Sequence, residues 1–225
     1  MCDEKLIVLY EDASLWVCLK PVGVSSQDDV GGVPSLLRTH TGRPDAYVGV
    51  IHRLDVGVGG VMVYAKTPRA AAALSAAVQA HTVQKQYIAA VHGTPAPLQG
   101  EMRDLLFKDS RRGKTFVVDR MRKGVREALL TYRVLVSDEG LSLCGVTLHT
   151  GRSHQIRVQF SSRAMPLVGD GRYGARDGVH DIALWSYRLT FPHPDDGREM
   201  TFFTRPQGAV WQQPVLYNLL QGWDE

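Results

Sequence analysis

His52-Arg53-Leu54-Asp55 sets a carboxylate two positions from an arginine, directly after the apolar run Val48-Gly49-Val50-Ile51 and directly before a glycine-rich turn. Such a segment sits where a strand runs out into a loop, and functional side chains are often presented from such places. With a period of two, Arg53 and Asp55 share one face while Leu54 points to the core. The same residues also suit a turn-forming aspartate beside a surface arginine, and spacing alone does not separate the two readings. A second group, Thr150-Gly151-Arg152-Ser153-His154-Gln155-Ile156-Arg157, follows a strand and opens a helix. Ser153 is its candidate cap, and His154 and Arg157 share a face. Free backbone donors at a helix start, with Arg152 and Arg157, make a candidate anion site; an ordinary basic helix start reads equally well. The third signal is a charge bias. Between Ser110 and Arg126 seven basic residues, Arg111, Arg112, Lys114, Arg120, Arg122, Lys123 and Arg126, stand against one acid, Asp119. Phe116-Val117-Val118 in the middle suggests a basic hairpin or arm suited to gripping a phosphate backbone, the alternative being a solvated surface loop.

Other chemistries lack their spacing. Gly113-Lys114-Thr115 resembles the end of a phosphate-binding P-loop, but Lys108 stands where the first glycine is required. Gly57-Val58-Gly59-Gly60 has Met62 in place of the third glycine of a dinucleotide fingerprint. There is no Gly-x-Ser-x-Gly elbow and no His-Glu-x-x-His, and the eight histidines are dispersed. Cys2, Cys18 and Cys144 are odd in number and without paired spacing, so neither a disulfide framework nor a zinc site is expected and a reducing cytoplasm fits best.

The elements that must position these groups are mostly strands. Residues 5–9 and 15–19 read as a hairpin around Glu11-Asp12-Ala13-Ser14, ended by Lys20-Pro21-Val22-Gly23. Residues 60–65 form a short apolar run, followed by Thr67-Pro68 as N-cap and first helical residue of a helix from Arg69 to about Gln79, with Leu74 and Val78 on its packing face. Further strands are expected near 86–92, 128–136 and 141–149, and a late hairpin over 183–191 and 199–204. Strands outnumber helices without regular βαβ alternation, which makes the class α+β with a largely antiparallel mixed sheet and flanking helices.

The 225 residues, 44% hydrophobic and 22% charged, have the composition of a globular chain that needs no staple. No repeat, linker or spanning segment interrupts it, so one domain over residues 1–225 is expected, neither secreted nor membrane-inserted. Net charge is only +3, but the 26 basic residues divide into 19 arginines and 7 lysines. Arginine's planar fork favours a nucleic-acid partner, with GC-rich codon usage as an equal alternative.

In this order the blocks resemble those of the RluA-type RNA pseudouridine synthases over nearly the whole chain. His52-Arg53-Leu54-Asp55 is similar to that family's signature. Lys20-Pro21-x-Gly23, Lys85-x-Tyr87-x-Ala89, Thr150-Gly151-Arg152-x-His154-Gln155-Ile156-Arg157, Gly169-Asp170-x-x-Tyr173-Gly174 and Phe191-x-His193-Pro194 are similar to its other blocks. The resemblance implies a pseudouridine synthase fold with a central RNA-binding cleft, no cofactor and no metal. It implies action on structured ribosomal or transfer RNA; many relatives carry an appended small RNA-binding domain, which is not expected here because residue 5 already enters the first strand, and a monomer is expected. By motif match Asp55 is the essential carboxylate, Tyr87 packs against the base and assists loss of the carbon 5 proton, and Arg157 pairs with Asp55 to keep it ionised. Arg53 fills the space a flipped uridine leaves, while His52, Arg152, His154 and the basic arm hold RNA. The chain departs from the pattern at Val58-Gly59-Gly60, where Thr-Ser-Gly or Thr-Thr-Gly is common, at Gln27, where a histidine is usual, and at Trp185-Ser186, which replaces His-Ala. Two other functions share these residues: an RNA chaperone that keeps the binding surface without the chemistry, and a glycosidase that releases free uracil.

Overall fold

The computed structural model describes residues 6–223. In chain order its elements are β1 (Ile7–Glu11), β2 (Leu15–Lys20), α1 (Val33–Thr41), β3 (Gly49–Val50), β4 (Gly59–Ala65), α2 (Pro68–Gln79), β5 (Gln84–His92), β6 (Gln99–Asp109), β7 (Lys114–Val118), β8 (Val125–Asp138), β9 (Leu141–Leu148), α3 (Gln155–Ser161), β10 (Leu184–Pro192), β11 (Glu199–Phe203) and α4 (Pro214–Gln221). Short helices beside largely antiparallel strands make the class α+β, as the strand-rich pattern implies. No helix among the described residues is long and apolar enough to cross a membrane.

Residues up to Lys85 cluster with Ser186–Pro206 in one compact unit. Its strand order is β1-β2-β4-β10, with β3 added to β4 and β11 to β10. Both β2 and β4 are buried along their whole length. That is why they read as near-continuous apolar runs rather than alternations. Leu15, Val17, Val61 and Val63 form a core with Leu189 and Phe191, and α2 closes it with Ala70 and Leu74. Thr67 caps α2 as its sequence requires, its side chain accepting the Ala70 N–H at 3.1 Å. The first hairpin starts later than its apolar run suggests, at Ile7, and Lys5 lies outside the described residues. Its turn is closed by Asp12, whose Oδ1 accepts the Ser14 and Leu15 N–H groups at 2.7 and 2.9 Å. Helix α1 is an addition to the expected elements. Its buried apolar face is short, but Pro34 in the first turn and Gly42 at φ 66° past the end are its start and stop signals.

Gln86–Trp185 cluster with the residues from Gln207 onward in a second compact unit, with strand order β5-β9-β8-β6-β7. Strand β6 was not legible because charge masks its alternation: Glu101 and Arg103 are exposed while Met102 and Leu106 are buried. It pairs with β8 from Gln99 opposite Arg133 to Phe107 opposite Val125. A small core of Leu106, Ala128, Val158 and Tyr173 ties this sheet to α3. Helix α4, also unforeseen, buries Leu216, Leu219 and Leu220 at helical spacing. Cys18 and Cys144 are free and buried, and burial pushes both thiols up, which leaves them unreactive.

Candidate active site

In the first unit the segment from His52 to Asp55 alternates as its period predicts: Leu54 is buried, Arg53 exposed and Asp55 half-buried. The carboxylate stands on a turn closed by the Val58 N–H donating to the Asp55 carbonyl at 3.0 Å. Both flanking carbonyls are held. Leu54 O accepts the Ser26 hydroxyl at 3.0 Å, and Val56 O accepts the Gly23 N–H at 2.8 Å and the Lys20 ammonium at 3.2 Å. The Lys20-Pro21-x-Gly23 block is therefore a clamp on the loop that carries Asp55. Lys20 is fully buried, and burial pushes its pKa down to about 8, with the Asp55 charge acting against the shift. Arg53 donates to Gln27 Oε1 at 3.1 Å, so the glutamine that departs from the family pattern steadies this exposed guanidinium.

His52 corrects its grouping with RNA-contacting residues. It is buried, its Nε2 accepts the Val63 N–H at 3.3 Å, and burial with the nearby Lys85 charge pushes its pKa down to about 3. A neutral, withdrawn imidazole offers no charge to a phosphate; it fastens the segment to β4.

In the second unit Arg157 lies on α3, buried, and donates through Nε and Nη2 to the two oxygens of Asp170 at 2.7 and 2.8 Å. This bidentate fork is a partner the sequence did not reveal, although Gly169-Asp170 stood in a recognised block. The Tyr173 ring lies 5.0 Å from the Arg157 guanidinium. Its hydroxyl accepts the Thr115 N–H at 2.8 Å and pairs with His154 Nδ1 at 2.9 Å, and burial raises its pKa. His154 and Arg157 thus meet the same ring, as their shared face implies. Tyr87 is buried on β5.

The start of α3 differs from expectation. His154, not Ser153, is the N-cap, in left-handed conformation at φ 54° and without a side-chain cap bond. Gln155 fills that role from inside the helix, its Oε1 accepting the Thr150 hydroxyl at 2.8 Å and the Arg152 N–H at 3.0 Å. Arg152 Nε donates to Glu127 O at 2.8 Å and Arg157 forms its fork with Asp170, so both arginines at the helix start are anchored within the fold.

The basic segment is a hairpin of β6 and β7 followed by an exposed connection to β8. Asp109 Oδ1 accepts the Arg111 and Arg112 N–H groups at 3.0 and 3.2 Å, shaping the tip and leaving both side chains exposed. Arg120, Arg122 and Lys123 are exposed on the connection, Arg122 lying 5.1 Å from the Phe107 ring. Val117, Val118, Asp119, Arg120 and Arg122 line an open groove of about 710 Å³. Lys114 departs from this set: it donates to Arg172 O at 2.7 Å and lies 5.0 Å from the Tyr173 ring, so it braces the hairpin. Among the described residues no three His, Cys, Asp or Glu side chains converge on a metal site.

Comparison with known proteins shows the family. Residues 14–162 match the family model described as RNA pseudouridylate synthase. The chain is 35% identical over 212 residues to an RNA pseudouridine synthase of Mycobacterium bovis, covering 88% of this chain and 68% of that one. It is 32% identical over 220 residues to ribosomal large subunit pseudouridine synthase D of Zymomonas mobilis, covering 89% and 69%. In fold it resembles human RNA pseudouridylate synthase domain containing 4, with TM-score 0.76 at 21% identity, over 96% of this chain and 92% of that one.

Proposed function

Because the chain belongs to the RluA-type RNA pseudouridine synthases, a family of isomerases, we propose that it converts a uridine to pseudouridine in a structured ribosomal or transfer RNA. Ribosomal RNA is favoured by the names of relatives from Zymomonas mobilis and Buchnera aphidicola. The target nucleotide leaves its stack at a cost of roughly a few kcal/mol, which loops and mismatches reduce. The bond from ribose C1′ to N1 breaks, the base turns in place, C1′ bonds to C5, the C5 proton departs and N1 gains one. Atoms balance without water, cofactor or metal, so one essential carboxylate suffices where a glycosidase needs two.

In this reading Asp55 initiates cleavage, by attack at C1′ or otherwise. Tyr87 packs against the base and assists C5 deprotonation, and Arg157 supplies positive charge opposite the carboxylate. Arg53 fills the vacated stack. Arg152, His154, Arg111, Arg112, Arg120, Arg122 and Lys123 hold phosphates. Residues 1–225 act as one catalytic domain, a cytoplasmic monomer.

The observation that carries the proposal is the clamped turn: Asp55 is half-buried between two immobilised carbonyls, beside a buried ammonium that feels its charge. Asp55→Ala should abolish tritium release from RNA labelled at uridine C5 while RNA binding persists. Wild-type release in the variant would remove Asp55 from its role. Free uracil among the wild-type products would replace the isomerase with a glycosidase.

A further inference from the structure

The pair β10–β11 carries a cation that the catalytic reading does not use. Arg188 stands directly opposite Phe203 in the register of the two strands. Its guanidinium carbon lies 5.7 Å from the Phe203 ring and 5.6 Å from that of Tyr187. The two rings are tilted at 52° with centroids 6.2 Å apart. Tyr187 is buried, and Phe203 is 52% exposed, so one of the two rings is open to solvent. Arg188 is half-buried, its Nε is buried without a hydrogen-bond partner, and no carboxylate pairs with it among the described residues. Other arginines here answer a carboxylate, as Arg157 answers Asp170 and Arg163 answers Asp104. Arg188 instead lies against two aromatic rings, one of them open to solvent.

From this arrangement we propose that Phe203 and Arg188 form a second RNA-binding site, which receives one unpaired nucleotide. The base stacks on the exposed face of Phe203 and the adjoining phosphate takes the open nitrogens of Arg188. The proposal rests on the reading that this chain works on RNA, and it names the form of RNA received here: a single strand flanking the target. An aromatic face accepts any base, while a guanidinium both stacks and binds phosphate, which is how single strands are held without sequence readout. An unstacked flanking strand is also what a structured loop supplies once one of its nucleotides has been extruded.

The test measures the affinity of a short single-stranded oligouridylate by fluorescence anisotropy over a salt series. Phe203→Leu keeps an apolar side chain but removes the π face, and should weaken binding roughly five-fold or more with an unchanged melting temperature. Arg188→Gln should lower the magnitude of the log-affinity against log-salt slope by about 0.7, the value for one neutralised phosphate on a single strand. Wild-type affinity in Phe203→Leu together with a wild-type slope in Arg188→Gln would overturn the proposal, as would failure of the wild type to bind the oligonucleotide at low salt. Tritium release by the wild type reports separately on the isomerase. If release occurs and neither variant changes binding, only this site falls; if both variants weaken binding and no tritium is released, the site stands and the isomerase reading falls.

Discussion

Lys20 shows how one side chain serves both stability and chemistry. Its ammonium is fully buried, donates to the carbonyls of Pro21 and Val56, and acts on the charge of Asp55. Its pKa is held near 8 in the fold against an ordinary 10.5, so the folded chain gives up this proton first as pH rises. Between those two values the unfolded state binds more protons, and stability therefore rises with pH. Lys20→Met lacks that gain. Thermal and urea unfolding from about pH 8 to about pH 10.5 should show the wild type gaining on the variant by up to roughly 3 kcal/mol. A pH-independent difference would contradict the assignment. Tritium release should also fall in the variant, because the Val56 carbonyl loses its charged donor. Asp170 is the second residue of this kind. Asp170→Ala leaves the buried Arg157 without its bidentate partner, and urea unfolding should register a destabilisation of roughly 3–5 kcal/mol. Arg157→Met in the same chain should restore part of that stability, since the buried charge that lost its fork is then gone.

Among the elements, the β6–β7 hairpin divides its cations between two tasks. Lys114 is turned back onto Arg172 and Tyr173, whereas Arg111 and Arg112 project from a tip shaped by Asp109. Replacing Arg111 and Arg112 together with glutamine should leave the melting temperature unchanged. It should also reduce the salt slope of RNA binding by roughly 0.7–0.9 for each phosphate that the arginines neutralise in the wild type. Lys114→Met should do the reverse, lowering stability by about 1 kcal/mol with the slope intact. Salt-dependent binding and thermal melts on the same preparations decide between the two behaviours. The departures from the family pattern also meet at this scale. A Cβ on Gly60 would come within 2.3 Å of the Ser186 carbonyl, and the Ser186 hydroxyl donates to Val61 O at 3.1 Å. Thus β4 and β10 approach closely at Gly60 and Ser186, and the Ser186 hydroxyl bonds to the backbone rather than remaining open to a ligand.

For the molecule as a whole, a net charge of only +3 does not describe what an RNA encounters. Positive charge is gathered on the hairpin and its connection, while other arginines are neutralised: Arg38 by Asp28, Arg103 by Glu101 and Glu127, and Arg163 by Asp104. Local density rather than net charge governs phosphate binding, because screening at physiological salt confines each charge to about 8 Å. The arginine excess counted in the sequence is thus partly structural and partly surface charge, a division that counting cannot make.

What could be read without coordinates was encoded among near neighbours in the chain. The cap Thr67-Pro68, the buried runs of β2 and β4, the basic hairpin and the alternation around Asp55 depend on residues within a turn or on the period of a strand. The ordered blocks carried the family. Local pattern was silent on partnerships closed across distance: Asp170 as the fork for Arg157, Lys20 and Gly23 on the Val56 carbonyl, and the burial that withdraws His52 from solvent. It also misplaced the cap of α3 and missed β6, whose charged face hides the alternation that pairing with β8 makes visible. The physical reason is the range of the forces. Backbone preferences and caps act over a few residues, whereas desolvation and ion pairing are set by whatever the completed fold brings alongside.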